Sequence, residues 1–175
     1  MFKNTIFRRM TALVLTLALA AAAALPGLAV YPMPIQTASE TEAVYLFNAD
    51  TGKTILNQNA GQQQYVASLT KLMTALLLLE SGKDLNGEVT VPTALTQEVR
   101  DIQNANGTTM GLRIGETVRR IDLLNAMLIV SANDAASVIA YDVGGSVLDF
   151  VKQMNARAQE LGCTGTHFSS ANGLH

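Results

Sequence analysis

The chain has 175 residues, of which 49% are hydrophobic, 15% charged and 5% aromatic. Lys and Arg number 12 against 14 Asp and Glu, a formal net charge of −2, which excludes a strongly basic nucleic-acid binder. The apolar content excludes a chain too polar to bury a core, and the length suits one domain of ordinary size or part of a larger one.

The charges are unevenly placed. Lys3, Arg8 and Arg9 lie in the first ten positions, whereas the first acidic residue is Glu40. Between them Met10 to Leu25 is apolar except for two threonines, and Gly27-Leu28-Ala29 offers small residues at the −1 and −3 places of a cleavage site. Residues 1–29 therefore read as a secretory signal peptide. The alternative is an uncleaved membrane anchor, against which the run is shorter than the roughly 20 residues that span a bilayer. Without residues 1–29 the chain keeps 9 basic side chains (the 12 less Lys3, Arg8 and Arg9) and 14 acidic ones, a net charge of −5. Residues 30–42 mix Pro, Ser, Thr and Glu and suit an extended leader.

From Ala43 the pattern becomes periodic. Ala43–Asn48 and Lys53–Gln58 flank the turn-forming Asn48-Ala49-Asp50-Thr51-Gly52, which predicts a β-hairpin. Ser68–Glu80 is long, apolar and free of Gly and Pro, so a buried helix is expected. Glu88–Val91 reads as a short strand ended by Pro92, Thr93–Asp101 as a short helix, and 103–109 as a polar loop. Thr117–Val130 is predicted to be helical, with Ile121, Leu124 and Leu128 on one face and Leu123, Met127 and Val130 beside it. Ser131-Ala132-Asn133 interrupts it, and Asp134 is expected to cap a helix over Ala135–Tyr141 that stops at Gly144-Gly145. Ser146 to Asp149 has the form of a capping box, opening an amphipathic helix whose Val147, Phe150, Val151, Met154, Ala158 and Leu161 keep helical spacing toward the core up to Gly162. A hairpin followed by several helices argues for an α+β class rather than alternating βαβ units.

The lone cysteine, Cys163, allows no intramolecular disulfide and excludes a paired-cysteine zinc site; its apolar setting suggests packing. His167 and His175 read as loop residues. Arg113, Arg119 and Arg120 read as a solvated helix start rather than a carboxylate site.

Chemistry concentrates at two places. Ser68 and Lys71 stand three residues apart, hence on one face of a helix. Serine needs a base to become a nucleophile, and lysine can be one where apolar neighbours such as Leu72 and Leu76 lower its pKa. By itself this tetrad also fits a helix N-cap with a solvated lysine. Ser131-Ala132-Asn133 lies at a helix break, where a hydroxyl and an amide can face a cleft. Ser170-Ala171-Asn172 has the same form, and the helix-bounded position favours the first copy.

Ser-x-x-Lys followed by Ser-x-Asn resembles the penicillin-binding and serine β-lactamase class. The words around them, Tyr65 to Thr74, Met110 to Glu116 and Val130 to Ala136, are similar to the low-molecular-mass D-alanyl-D-alanine carboxypeptidases. The likeness continues through Met154-Asn155, Leu161-Gly162-Cys163, Thr166-His167-Phe168 and Asn172-Gly173-Leu174, so it covers residues 43–175. Ala132, where many class A β-lactamases carry aspartate, is more like the carboxypeptidases.

The resemblance implies an antiparallel sheet flanked by helices with a helical subdomain, and a serine carboxypeptidase that trims the terminal D-alanine of peptidoglycan stem peptides. Ser68 would be the nucleophile, Lys71 the general base and Ser131 the proton shuttle; Asn133 would bind the substrate backbone. It implies no metal or organic cofactor, β-lactams as inhibitors, and export to the periplasm or outer face of the plasma membrane. Lys-Thr-Gly, the third motif of the class, does not occur in the chain. The family's C-terminal strands, with one oxyanion donor, are thus expected to be missing, and 43–175 is expected to be an incomplete catalytic domain. Membrane association is expected only through an uncleaved N-terminal segment or a missing C-terminal anchor. The rival readings are a β-lactamase or transpeptidase of the same class, or an inactive cell-wall-binding remnant.

Overall fold

The computed structural model describes residues 41–174. The expected signal peptide, most of the leader, and His175 lie outside the described residues. The chain divides into two compact units, Met1–Asn59 and Ala60–His175.

In the first unit β1 (Val44–Asn48) pairs antiparallel with β2 (Lys53–Gln58), as the alternating pattern predicts. Asn48 closes the turn, its Oδ1 accepting from Thr51 N at 2.9 Å and its carbonyl from Gly52 N at 3.0 Å. The register shifts between Leu46 and Phe47, marking a bulge. Tyr45 and Phe47 stack with centroids 6.3 Å apart.

The second unit is built around one helix. A turn of 3-10 helix (Ala67–Thr70) leads into α1 (Lys71–Glu80). Then β3 (Glu88–Thr90), a short 3-10 turn (Thr93–Leu95) and α2 (Thr96–Asn104) follow. After a long connection come β4 (Thr117–Arg119), α3 (Arg120–Ile129), α4 (Asn133–Gly144) and α5 (Val147–Glu160). α4 is buried from Asn133 to Ala140, because a run rich in Ala and Ser lets helices approach closely on several sides. Against it Leu78, Leu123, Met127 and Leu95 form one core cluster, and Phe150, Met154, Leu77 and Ala171 a second. Burial of Phe150 and Met154 contributes roughly 1.5–3 kcal/mol each. Ser146 caps α5, its Oγ accepting from Asp149 N at 3.0 Å, while Asp149 Oδ2 accepts from Ser146 Oγ at 2.8 Å rather than from the Ser146 backbone as a full capping box would have it. Among the described residues no helix is long and apolar enough to cross a membrane.

Several expectations change. Thr117–Arg119 is a strand rather than the first turn of a helix, since Val118 and Thr117 pair with Val89 and Thr90 across β3; a distant partner overrode the local helical period. The α1 helix is buried on one face only, through Lys71, Thr74, Ala75 and Leu78, while Leu72 (62%) and Leu79 (55%) are exposed. Leu128 and Val130, expected in the α3 core face, are exposed as well, and Leu123, Leu124 and Met127 do the packing; Leu161, expected on the core stripe of α5, is exposed because the helix ends at Glu160. Cys163 is exposed, not packed.

Arg120 does not solvate a helix start. Its Nε and Nη2 meet Asp142 Oδ2 and Oδ1 at 2.7 and 3.0 Å, with Lys83 Nζ 3.4 Å from the same carboxylate. Burial pushes the Asp142 carboxyl up, but the hydrogen bond and charge of Arg120, helped by Lys83, outweigh it and hold the group below its ordinary value. A depressed carboxyl pKa adds stability that is present above the ordinary carboxylate range and lost as pH falls through the folded value. Asp142→Asn is therefore expected to cost about 1–3 kcal/mol at pH 7, because it leaves a largely buried guanidinium short of its partner. The cost should shrink at acid pH, as measured by denaturant unfolding at both.

Candidate active site

The local structure around Ser68 is not a plain helix start. Ala67 adopts φ 47°, a left-handed conformation that alanine enters only under constraint. Ser68 then sits inside the 3-10 turn, whose three-residue repeat eclipses side chains at i and i+3. Lys71 Nζ accordingly lies 3.1 Å from Ser68 Oγ. The sequence predicted the pair on one face; the tighter turn aligns it more closely than an α-helix would.

Lys71 is 2% exposed. Its Nζ donates to Asn133 Oδ1 at 2.8 Å and to the Asn172 carbonyl at 2.7 Å, besides contacting Ser68. No carboxylate is among these partners, and burial pushes its pKa below the ordinary lysine value. Two of its contacts are to groups that only accept, so a neutral amine would keep its two N–H bonds there and turn its lone pair to Ser68 Oγ.

Ser131 approaches from the other side, donating to Ser68 Oγ at 2.8 Å. It occupies the break between α3 and α4 at φ 60°. Two backbone bonds impose that bend: Ala132 N donates to Ala126 O at 3.2 Å, and Asn133 N to Thr108 O at 2.8 Å. Asn133 is nearly buried (6% exposed), its Nδ2 donating to Thr108 O at 3.0 Å. The four residues singled out in the sequence are thus linked in one run of hydrogen bonds, from Ser131 to Ser68 to Lys71 to Asn133. The arrangement places one hydroxyl between an amine and a second hydroxyl, which is what deprotonation of an alcohol and relay of its proton require.

Some contributors had no side-chain signature. The second triplet, set aside in the sequence, borders the site through its backbone: the Asn172 carbonyl holds Lys71, and the Ala171 carbonyl accepts from Thr74 Oγ1 at 2.6 Å. Asn155 steadies the approach to this loop, exchanging two 2.8 Å bonds with the Phe168 backbone. Asp134, expected as a cap, lies inside the first turn of α4 and binds the backbone of 110–112 instead. His167 is an exposed loop residue, as expected.

The fold is shared with DD-peptidases of known structure. The crystal structure of the Streptomyces K15 DD-transpeptidase superposes with a TM-score of 0.67 at 31% identity, covering 74% of this chain and 51% of that one. Residues 32–175 match the S11 peptidase family, D-alanyl-D-alanine carboxypeptidase, and the chain belongs to that family. It is 34% identical over 142 residues to the Bacillus subtilis D-alanyl-D-alanine carboxypeptidase DacF, covering 79% of this chain and 35% of the relative. To a D-alanyl-D-alanine endopeptidase of Pseudomonas aeruginosa it is 33% identical, covering 81% and 44%. The chain thus spans about a third to a half of the length of these relatives.

Proposed function

We propose that this chain carries the nucleophile and base of a serine-type D-alanyl-D-alanine peptidase that acts on peptidoglycan stem peptides through an acyl-enzyme. The observation that carries the reading is Ser68 Oγ held 3.1 Å from Lys71 Nζ and 2.8 Å from Ser131 Oγ. In this reading Ser68 Oγ gives its proton to neutral Lys71 and bonds to the carbonyl carbon of the penultimate D-alanine. The Ser68 backbone N–H supports the oxyanion. As the tetrahedral adduct collapses the C–N bond breaks, and the proton passes through Ser131 to the departing amine. Water then cleaves the ester and releases the shortened peptide. Asn133 serves twice, fixing Lys71 through Oδ1 and offering its second Nδ2 hydrogen to a substrate carbonyl.

Residues 1–29 act as a signal peptide and 30–42 as a leader, so the site from 43 onward works outside the cytoplasm, where its substrate is. β-Lactams acylate the same serine. The names of the relatives span carboxypeptidase, endopeptidase and transpeptidase. These share acylation and differ in the bond cleaved and the acceptor of the acyl group, and the carboxypeptidase reading has water as that acceptor.

Incubation of the full chain with a fluorescent penicillin is expected to label Ser68, as located by peptide mass mapping, and Ser68→Ala should abolish the label. Free D-alanine released from a D-Ala-D-Ala peptide would support the carboxypeptidase step. Labelling at another residue would refute the assignment of Ser68, whereas labelling only of a longer chain that carries Lys-Thr-Gly would mean that these residues hold the nucleophile but do not acylate by themselves. Peptidoglycan binding unchanged by Ser68→Ala, without labelling, would favour a binding remnant.

A further inference from the structure

The mechanism uses Asn133 but not the residue after it. Asp134 is 1% exposed, and every partner of its carboxylate is a backbone N–H. Oδ1 accepts from Met110 at 3.0 Å and from Ala135 at 2.9 Å, and Oδ2 from Gly111 at 3.1 Å and Leu112 at 3.0 Å. Four such bonds occupy the roughly four acceptor sites of an ionised carboxylate. A buried carboxylate without a cation is costly; here the N–H groups and the positive end of α4 offset that cost.

Met110–Leu112 belongs to the strap 105–116, which forms no helix or strand. Within the same strap the Thr108 carbonyl accepts from both Asn133 N and Asn133 Nδ2, at 2.8 and 3.0 Å. Gly107 lies so close that a Cβ there would come within 3.0 Å of Asn133 Nδ2. Two consecutive residues of α4 therefore grip neighbouring points of one strap, Asn133 at Thr108 and Asp134 at Met110–Leu112. The grip has a directional consequence. A carbonyl can face only the NH₂ end of an amide, so Thr108 O decides which end of Asn133 turns away from it, and that end is the Oδ1 that receives Lys71.

We propose that Asp134 is a positioning residue for the serine–lysine site: by pinning Met110–Leu112 it keeps the Thr108 carbonyl against Asn133 Nδ2, which orients Asn133 Oδ1 toward Lys71. The proposal rests on the reading of Lys71 as the base. Asparagine at 134 would keep the shape but present N–H to N–H on one side, which loosens the strap without emptying the site.

The test is Asp134→Asn in the full chain, followed by NMR hydrogen exchange and by fluorescent-penicillin labelling of Ser68. The expected result has three parts. The Met110, Gly111 and Leu112 amides exchange roughly tenfold faster or more, as loss of a bond to a charged acceptor implies. The Asn133 Nδ2 protons exchange faster with them, and labelling slows by a similar factor while amides in the core of α5 keep their protection. A loosened strap with Asn133 Nδ2 exchange and labelling unchanged would reduce Asp134 to a loop anchor and overturn the proposal. Should the variant not fold, the unaltered chain decides: in native-state exchange at rising denaturant, the 110–112 amides and Asn133 Nδ2 must open together. Opening of the strap alone refutes the linkage. Joint opening in a chain that penicillin labels at another residue would refute the role of Ser68 and leave the linkage supported.

Discussion

Lys71→Met is expected to slow acylation of Ser68 by roughly 10²–10⁴-fold, the usual contribution of a positioned general base. Lys71→Arg should fare little better although it keeps the charge, because a guanidinium does not give up its proton in a protein and so offers no lone pair to Ser68. The rate of fluorescent-penicillin labelling measures both. The two variants separate base catalysis from charge: if arginine restored the rate, Lys71 would be acting as a fixed cation and the proton would have to leave by Ser131. Stability responds independently. Methionine leaves Asn133 Oδ1 and the Asn172 carbonyl without the donor that Lys71 supplies, a loss of about 1–3 kcal/mol for each acceptor that stays dry.

The pH dependence of that loss has a definite sign. Burial holds the folded pKa of Lys71 below the ordinary 10.5. Between the folded and unfolded values the unfolded chain binds more protons, so stability contributed by this group rises with pH across that window. In Lys71→Met the rise disappears. Denaturant unfolding from neutral pH to about 10 should show the wild-type and variant curves diverging toward the alkaline side, unlike the acid-side effect of Asp142→Asn.

How much of this was legible in the sequence depends on the kind of group concerned. Ser68, Lys71, Ser131 and Asn133 act through side chains, and their spacing along helices and at a helix break put them in view; the structure brings them together. The hairpin and the Ser146 cap were legible because the residues that close them lie within a few positions. The strand Thr117–Arg119 was not, since its partner at Glu88–Thr90 lies across a connection that periodicity does not see. Asp134 looked like a cap because aspartate at a helix start usually is one; only the fold supplies three backbone N–H groups from the strap that claim its carboxylate. The Asn172 carbonyl left no trace at all, as every residue has one. Arg120 was misread for a related reason: its partner Asp142 lies 22 positions away on α4.

The loop that carries that carbonyl is held by the closest backbone approach in the site, and Gly173→Ala should break it. A Cβ on Gly173 would overlap the Ala67 carbonyl oxygen and come within 2.6 Å of Ala67 C and 2.8 Å of Thr70 Oγ1. The first two atoms are backbone of the very turn that presents Ser68, so no rotamer change relieves the clash; either the 172–174 loop lifts or the turn deforms. Gly173 also sits at φ 78°, a conformation costing an alanine roughly 1–2 kcal/mol whatever the space. With overpacking of about 1–3 kcal/mol, the expected destabilisation is roughly 2–5 kcal/mol. Gly162→Ala supplies the comparison, for it has nearly the same φ, 79°, and nothing within 4 Å of its Cβ, so it bears the dihedral cost alone. Thermal unfolding of the two variants thus isolates the contact with the nucleophile turn. Labelling then reports whether the lifted carbonyl matters to Lys71: Gly162→Ala should acylate as the unaltered chain does, and Gly173→Ala should acylate more slowly even at a temperature where both are folded. Equal stability losses would mean that the loop and the turn are not in contact as described, and the Asn172 carbonyl would lose its part in holding the amine.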